Sequence, residues 1–503
     1  EVMRKVVKDY RFEGLTPDQV MLGIIAFPEE WNSIPLFEVD NPEIHKLLGY
    51  KGTKVSFNDF MGDGNYLLYN LVNEAYQKPV AAREDLDKEV MKLDEKINVY
   101  YMVETGSILR IYPDPTDTIN HKWHSVSELY GTDMNPADSL GLVFSVLANA
   151  VRTGDNAQAL EVIDFIGKYQ QKFSTHELVG FKMKAELLLN KLRIFNRLTA
   201  LYALLGITLL ILQLMRVFKS RKGVDVAFRA GFIVLVVLFA FHVTALALRW
   251  YVGNHAPLSN GYESMIYVSG FIILFGLLFS RVSGFAAGLA TLLATLSLLV
   301  AHMSWMNPDI TNLVPVLKSP WLTIHVNVIL AGYALLGISM FMGLLNLVFY
   351  TALNEKNVGK TGKVIDQLTG VSQLVVTIGL YLLTIGTFLG GVWANESWGR
   401  YWGWDPKETW ALISVLVYSF VAHMHRFPGL GGNYSYNLGT MSGYFAILMT
   451  YFGVNYFLGG IHSYAAGAAF DIPIWVFLAI LALITLSVIA YMKNKKFNKM
   501  LEN

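Results

Sequence analysis

Nine apolar stretches, each long enough to cross a bilayer, follow one another after Lys191, near residues 198–215, 230–248, 264–280, 285–302, 323–350, 371–390, 406–425, 438–458 and 473–492. A hydrocarbon core about 30 Å thick takes about 20 residues of helix, and every backbone polar group inside it must find its partner within the segment or in a closed barrel. This part of the chain is therefore expected to be an all-α integral membrane protein with about nine transmembrane helices. Residues 1–190 have another character. They hold 19 Lys and Arg against 29 Asp and Glu, while residues 191–503 hold 21 against 10, so the two parts suit different solvents.

Residues 1–190 read as a mostly helical soluble domain, with helices over Thr16–Ala26, Arg83–Tyr100, Pro136–Val151 and Asn156–Tyr169 and short extended pieces such as Ile108–Tyr112. They carry no repeat and no nucleotide-binding loop, and nothing in the chain points to nucleic acid. His121-Lys-Trp-His124 has a spacing that could bind a metal, although such a pair is usually plain surface. Residues 191–229 supply the first span and a basic loop, and 230–503 the remaining spans. With 1–190 placed outside, the inner loops and tail receive fourteen Lys and Arg and the outer side seven, which is the positive-inside bias. The N-terminal domain is thus expected to be extracytoplasmic and the C-terminus cytoplasmic. The chain has no cysteine, which excludes disulfides and a thiol relay of its own and leaves histidine as the natural strong ligand for iron or copper.

Between two of the spans, residues 391–411 gather five of the eleven tryptophans: Trp393, Trp398, Trp402, Trp404 and Trp410. A membrane-edge aromatic belt needs one or two. Five indoles interleaved with Gly399 and Gly403 suggest a flat aromatic shelf that a planar molecule could approach, and a Trp-rich anchoring loop is the alternative. Asp405, Pro406 and Glu408 have the spacing of an N-cap, an N1 proline and an N3 glutamate, a capping box that opens the next helix.

On this topology His325 and His462 sit at the same face as the tryptophans. Two neutral imidazoles on either side of an aromatic shelf, with Arg400 or Lys407 for the propionates, are what a bis-histidine heme site requires. His423 lies near the inner end of its span and is either a functional histidine or one that snorkels to the surface with His425. His242 is mid-span, where a single hydrogen bond to a neighbouring helix would satisfy it. His255 and His302 lie near the outer boundary and remain open.

The run Trp398-Gly399-Arg400-Tyr401-Trp402-Gly403-Trp404-Asp405-Pro406-Lys407-Glu408-Thr409-Trp410 closely resembles the WWD signature of the system II cytochrome c synthases of the CcsA/ResC type. Pro257-Leu258-Ser259-Asn260-Gly261-Tyr262-Glu263-Ser264, the segment around His325, and Gly460-Ile461-His462-Ser463-Tyr464 resemble the same family, over roughly residues 230–492. The resemblance implies that His325 and His462 ligate a heme b, held non-covalently as substrate, against Trp398, Trp402, Trp404, Asp405 and Arg400. It implies a second, inner heme site at His423. It also implies synthase chemistry: heme is brought to the outer face of the bacterial inner membrane and joined to the thiols of a Cys-x-x-Cys-His apocytochrome c, kept reduced by thiol-reducing proteins. The alternative is a heme exporter that passes heme to a separate lyase, and a scaffold whose shelf holds lipid is a third possibility.

Residues 1–190 with the first span resemble, less closely, the end of the family's ResB/CcsB-type partner, fused ahead of the synthase. Members of that partner type carry several spans before their outer domain, so a further membrane segment is expected upstream of Glu1. Depth points the same way. His423 lies eighteen residues below Asp405, about 27 Å down its helix, while His242 is seven residues below Arg249, about 10 Å deep, so these two cannot bracket one iron. The second ligand of an inner site is therefore expected from that upstream segment.

Overall fold

The computed structural model describes residues 12–502 apart from 40, 50, 51, 63, 64, 79–82, 118–121, 130–137, 175–179, 220, 304, 305, 307, 311, 312, 314, 459 and 461–471; side chains at 85, 138, 139, 141, 315, 316 and 497–502 are also left aside. The chain forms two compact units, Glu1–Gly180 and Phe181–Asn503.

The first unit is mostly helical: α1 Pro17–Ala26, α2 Pro28–Asn32, α3 Pro42–Leu48, α4 Tyr69–Gln77, α5 Asp85–Glu104, α6 Asp138–Thr153 and α7 Asn156–Phe173. Three two-stranded antiparallel ribbons accompany them: β1 Phe37–Glu38 with β2 Lys54–Val55, β3 Met61–Gly62 with β4 Asn65–Tyr66, and β5 Arg110–Pro113 with β6 Trp123–Ser125. The Thr16 capping box opens α1, and Val20, Ile24, Phe37, Phe60 and Tyr100 fill the larger core. His121 lies outside the described residues. His124 is held between two carboxylates, Nε2 to Asp114 at 3.0 Å and Nδ1 to Glu128 at 3.2 Å, so it pins the β5–β6 ribbon. The Thr116 hydroxyl and amide, with His124, hold the Asp114 carboxyl well below the usual carboxylate range. Among the described residues no histidine and carboxylate group has the arrangement of a metal site.

The second unit begins at Phe181 rather than near 190, because α8 Phe181–Leu192 packs on a membrane helix, with the Phe181 ring edge-on to Tyr251 at 5.7 Å. All nine expected stretches are helical: α9 Ile194–Phe218, α10 Lys222–Gly253, α11 Gly261–Phe279, α12 Gly284–Ala301, α13 Pro320–Thr351, α14 Val358–Trp398, α15 Pro406–His423, α16 Asn433–Leu448 and α17 Ile474–Glu502. Seven of them are long and apolar enough to cross a membrane among the described residues. The other two fall short, α15 because Lys407, Glu408 and His423 make its eighteen residues too polar and α16 because it is only sixteen residues long before the π-helix begins, so the count of nine is not established. α15 opens with Lys407 and Glu408. α16 carries Asn437, whose Oδ1 accepts from Asn346 Nδ2 at 2.8 Å and whose Nδ2 donates to Thr369 at 2.7 Å, a buried network with α13 and α14. α16 runs straight into a π-helical turn sequence, Met449–Leu458.

Burial follows from this packing. α10 and α17 leave most of their apolar residues uncovered, as helices facing lipid do, while α11, α12 and α13 are largely buried. α13 and α14 approach each other closely. A Cβ on Gly332 would meet Gly379 O and Leu383 N at 3.1 Å, and one on Gly386 would meet Ile329 N at 3.0 Å. Small residues at such crossings let two backbones touch, and here they bring the start of α13 against the end of α14.

Candidate functional site

His325 lies one turn into α13, whose first residues are capped by Ser319: its Oγ accepts from Trp321 N and donates to Glu396 on α14 at 2.6 Å. The His325 Nδ1–H donates to the Trp321 carbonyl at 2.8 Å. That bond fixes the ring and its tautomer and directs basicity to Nε2, the usual preparation of a histidine for iron or zinc. The ring stacks on buried Trp393 with centroids 5.4 Å apart and planes at 24°. Gly390 makes room for it, since a Cβ there would come within 3.3 Å of the imidazole.

This imidazole lines an open cavity. Apolar side chains from α13 (Leu322, Val326, Ile329, Leu330) and the indoles of Trp393 and Trp402 form much of its wall; Ser259, Asn260 and Ser264, Lys407 and Glu408, and Thr450, Tyr451 and Asn455 give it a polar side. Ligand sites commonly have this make-up: an apolar body with a few convergent polar groups. The π-helix contributes Thr450, Tyr451 and Asn455, and such widened turns occur mostly at functional sites. Tyr451 Oη donates to the Gly261 carbonyl at 3.0 Å, tying that wall to the 259–264 wall.

The tryptophan stretch is built differently from a flat shelf. α14 continues to Trp398 and is closed by Gly399 at φ 71°, so Trp393 and Trp398 are helical, and the intervening loop is only 399–405 before α15 begins at Pro406. The rings are steeply inclined: 66° between Trp393 and Trp398 and 87° between Trp402 and Trp404. Trp404 sits at φ 57°, uncommon for a bulky residue, and this turns its indole outward, where it is 70% exposed. The capping box is present as expected. Asp405 accepts from Lys407 N at 2.9 Å, and Glu408 accepts from Gly403 N at 2.7 Å and Asp405 N at 3.2 Å.

The expected site residues therefore separate. His325 and Trp402 line the cavity; Trp398, Trp404, Asp405 and Arg400 do not. Trp398 braces Trp393, Asp405 caps α15, and Arg400 is exposed beside Gly403. His462 lies outside the described residues; Gly460, two residues before it in sequence, packs on Asp405 and Pro406. His423 is the last residue of α15, at the other end from the cavity. It is exposed, donates from Nδ1 to the Ser419 carbonyl at 2.8 Å, and lies 6.4 Å from the His425 ring. His242 is fully buried and both nitrogens are engaged: Nε2–H donates to Ile266 O at 2.9 Å and Tyr202 Oη–H donates to Nδ1 at 3.4 Å, the satisfied reading raised by the sequence. Composition did not single out Asn455, Tyr451 or Tyr401 as cavity residues; the run of glycines and aromatics around them was the only signal.

A family model described as "Cytochrome C assembly protein" matches residues 258–462, a span from the Ser259 wall to the second expected ligand. The chain is 39% identical over 474 residues to protein NrfI of Wolinella succinogenes, covering 93% of this chain and 52% of that protein, so it spans about half of NrfI's length. It is 34% identical over 249 residues to the cytochrome c biogenesis protein CcsA of Prochlorococcus marinus (44% of this chain, 78% of that protein) and 35% over 268 residues to CcsA of Synechococcus sp. strain CC9605 (47% and 87%). With the matched residues forming the cavity and its walls, the chain belongs to the cytochrome c assembly protein family.

Proposed function

We propose that this chain holds heme b as a non-covalently bound substrate in the His325 cavity and attaches it to an apocytochrome c. The observation that carries this reading is an imidazole fixed through Nδ1, stacked on a buried indole and opening on an apolar cavity with one polar side. His462 is the opposing ligand in this reading, delivered by the segment that leaves Gly460. The cavity faces the extracytoplasmic side of the bacterial cytoplasmic membrane, and the C-terminus is cytoplasmic.

The chemistry needs no oxidant. Each thiol of a Cys-x-x-Cys-His acceptor adds across one vinyl group, forming a carbon–sulfur bond while the thiol hydrogen passes to the other vinyl carbon. The chain's contribution is proximity and orientation, with the acceptor's own histidine replacing one axial imidazole. Because this chain has no cysteine, thiol-reducing proteins keep the acceptor reduced. His423, with Nδ1 given to a backbone carbonyl, serves an inner heme site whose second ligand comes from a ResB/CcsB-like membrane segment upstream.

The test is to co-produce the full protein with a Cys-x-x-Cys-His acceptor. A Soret band in the purified protein and heme that stays on the acceptor under denaturing conditions are expected; a Soret band with no covalent product would replace attachment by export. The tryptophans divide in the same assay. Trp402→Ala should lower heme occupancy several-fold in a protein that still extracts and folds, because an indole on the cavity wall is lost. Trp404→Ala should leave occupancy within about twofold of wild type, its ring being off the wall, and equal losses from both variants would restore the shelf.

A further inference from the structure

We propose that α8, together with the end of α10 it rests on, is a landing surface for anionic phospholipid, with α8 lying along the headgroups instead of crossing the bilayer. The proposal is independent of the heme reading above.

Only Arg193 separates α8 from α9, and its backbone is left-handed, at φ 43° and ψ 52°. That conformation breaks a helix sharply, so α8 does not extend the axis of α9; it packs on α10, where Phe181 meets Tyr251. Phe181, Ala185, Leu188 and Leu192 fall on one stripe of α8 at helical spacing. Ala185 is buried, but Phe181 and Leu188 remain 69% and 45% exposed. The helices around them face lipid. Leu201 and Leu204 on α9 and Phe241 and Val243 on α10 are exposed, and α10 ends in exposed Trp250 and Tyr251, the residue types that gather at headgroup depth. The open stripe of α8 is therefore continuous with a lipid-facing surface at the level where the hydrocarbon stops.

Charge selects the kind of lipid. Residues 181–197 hold Lys182, Lys184, Lys191, Arg193 and Arg197 against Glu186, although residues 1–190 as a whole are acidic. By helical spacing Lys184 and Lys191 lie along one flank of the stripe and Lys182 along the other, while Glu186 and Asn190 fall on the far side. A lysine so placed can lay its methylenes on the acyl boundary and raise its ammonium to a phosphodiester. Zwitterionic lipid offers the same hydrocarbon but answers each phosphate with its own cation. The surface also adjoins the cavity wall, since Arg249, next to Trp250, holds Glu263 and through it Ser259.

The chain has no cysteine, so single spin labels can be placed in the full protein without background. Leu188→Cys and Asn190→Cys, both at exposed positions, are labelled and reconstituted in phosphatidylcholine vesicles with or without an equal part of phosphatidylglycerol. In the mixed vesicles the label at 188 should be relaxed by oxygen and shielded from a water-soluble nickel chelate, as expected about 5–10 Å into the boundary. The label at 190 should show the reverse. Replacing Lys182, Lys184 and Lys191 together by glutamine, or omitting phosphatidylglycerol, should raise nickel access at 188 by about threefold. Nickel access at 188 equal to that at 190 in the mixed vesicles overturns the landing surface. Shielding of 188 from both reagents means that protein covers it, and overturns lipid as the occupant. Shielding that ignores both lipid charge and the lysines overturns the anionic preference. The comparison of the two vesicle types decides that last point even if the triple variant fails to fold.

Discussion

Replacing His325 by alanine should abolish retention of heme in the cavity and stop cytochrome production, with partial rescue by millimolar imidazole. The side chain is small and sits at the mouth end of α13, so its loss leaves the α13–α14 contact through Gly332 and Gly386 intact. On the proposed reading the iron then loses one of two strong bonds. Even loss of an outer partner of a metal-ligating histidine costs about 10–100-fold in affinity, and loss of the ligand itself costs more. Imidazole can enter because the cavity is open and Trp393, uncovered by the substitution, offers the same stacking face. Absorption spectra of purified variants, with covalent cytochrome yield beside them, make the measurement. His302→Ala is a suitable control: its Nδ1 also bonds a carbonyl one turn back, on Leu298, but its ring lies against Tyr262 and off the cavity wall. Full heme retention and full yield from His325→Ala without imidazole would remove this residue from the mechanism, and equal defects from both variants would point to general disruption of this end of the bundle.

Hydropathy made the membrane unit legible because lipid allows few solutions, and each apolar run had to be a helix. The capping box was legible for a similar reason: Asp405, Pro406 and Glu408 act through their own neighbours, so spacing alone carries the information. What spacing could not carry was the meaning of Gly390 and Gly391. In sequence they look like the start of a loop, but they lie inside α14, where their missing side chains accommodate the His325 ring and the Tyr401 carbonyl. The same limit applies to the tryptophans. Five indoles close in sequence suggested one surface, yet a helix end, a seven-residue loop and a Trp404 in the left-handed region point them in different directions. Asn455 was invisible for another reason. Its role comes from a partner 48 residues away, Lys407, across a π-helix that no local periodicity announces.

The ion pair beneath the cavity gives the second large effect. Arg249 Nε donates to Glu263 Oε1 at 2.7 Å, with the two side chains 9% and 0% exposed. The other carboxylate oxygen accepts from Ser259 N at 2.8 Å and Ser259 Oγ at 2.6 Å, and the guanidinium donates from Nη2 to the Asp309 carbonyl at 3.0 Å. One carboxylate therefore anchors α10, the start of α11 and the Ser259 wall together. Removing one partner strands a desolvated charge, which typically costs about 3–5 kcal/mol, whereas replacing both by apolar residues removes the desolvation penalty along with the attraction. Arg249→Leu and Glu263→Leu should each lower stability by about that amount in detergent, seen as a large drop in the denaturant midpoint of tryptophan fluorescence. The double variant should recover much of it, retaining a deficit of about 1–3 kcal/mol for the Ser259 amide that has lost its acceptor. Its cavity should still be impaired, because Ser259 and Asn260 are no longer held, so heme affinity should fall in a protein that is folded. A double variant as unstable as the sum of the two singles would show that the pair is not coupled. Singles within about 0.5 kcal/mol of wild type, the range of ordinary surface substitutions, would show that solvent reaches these charges and that the wall is held by other contacts.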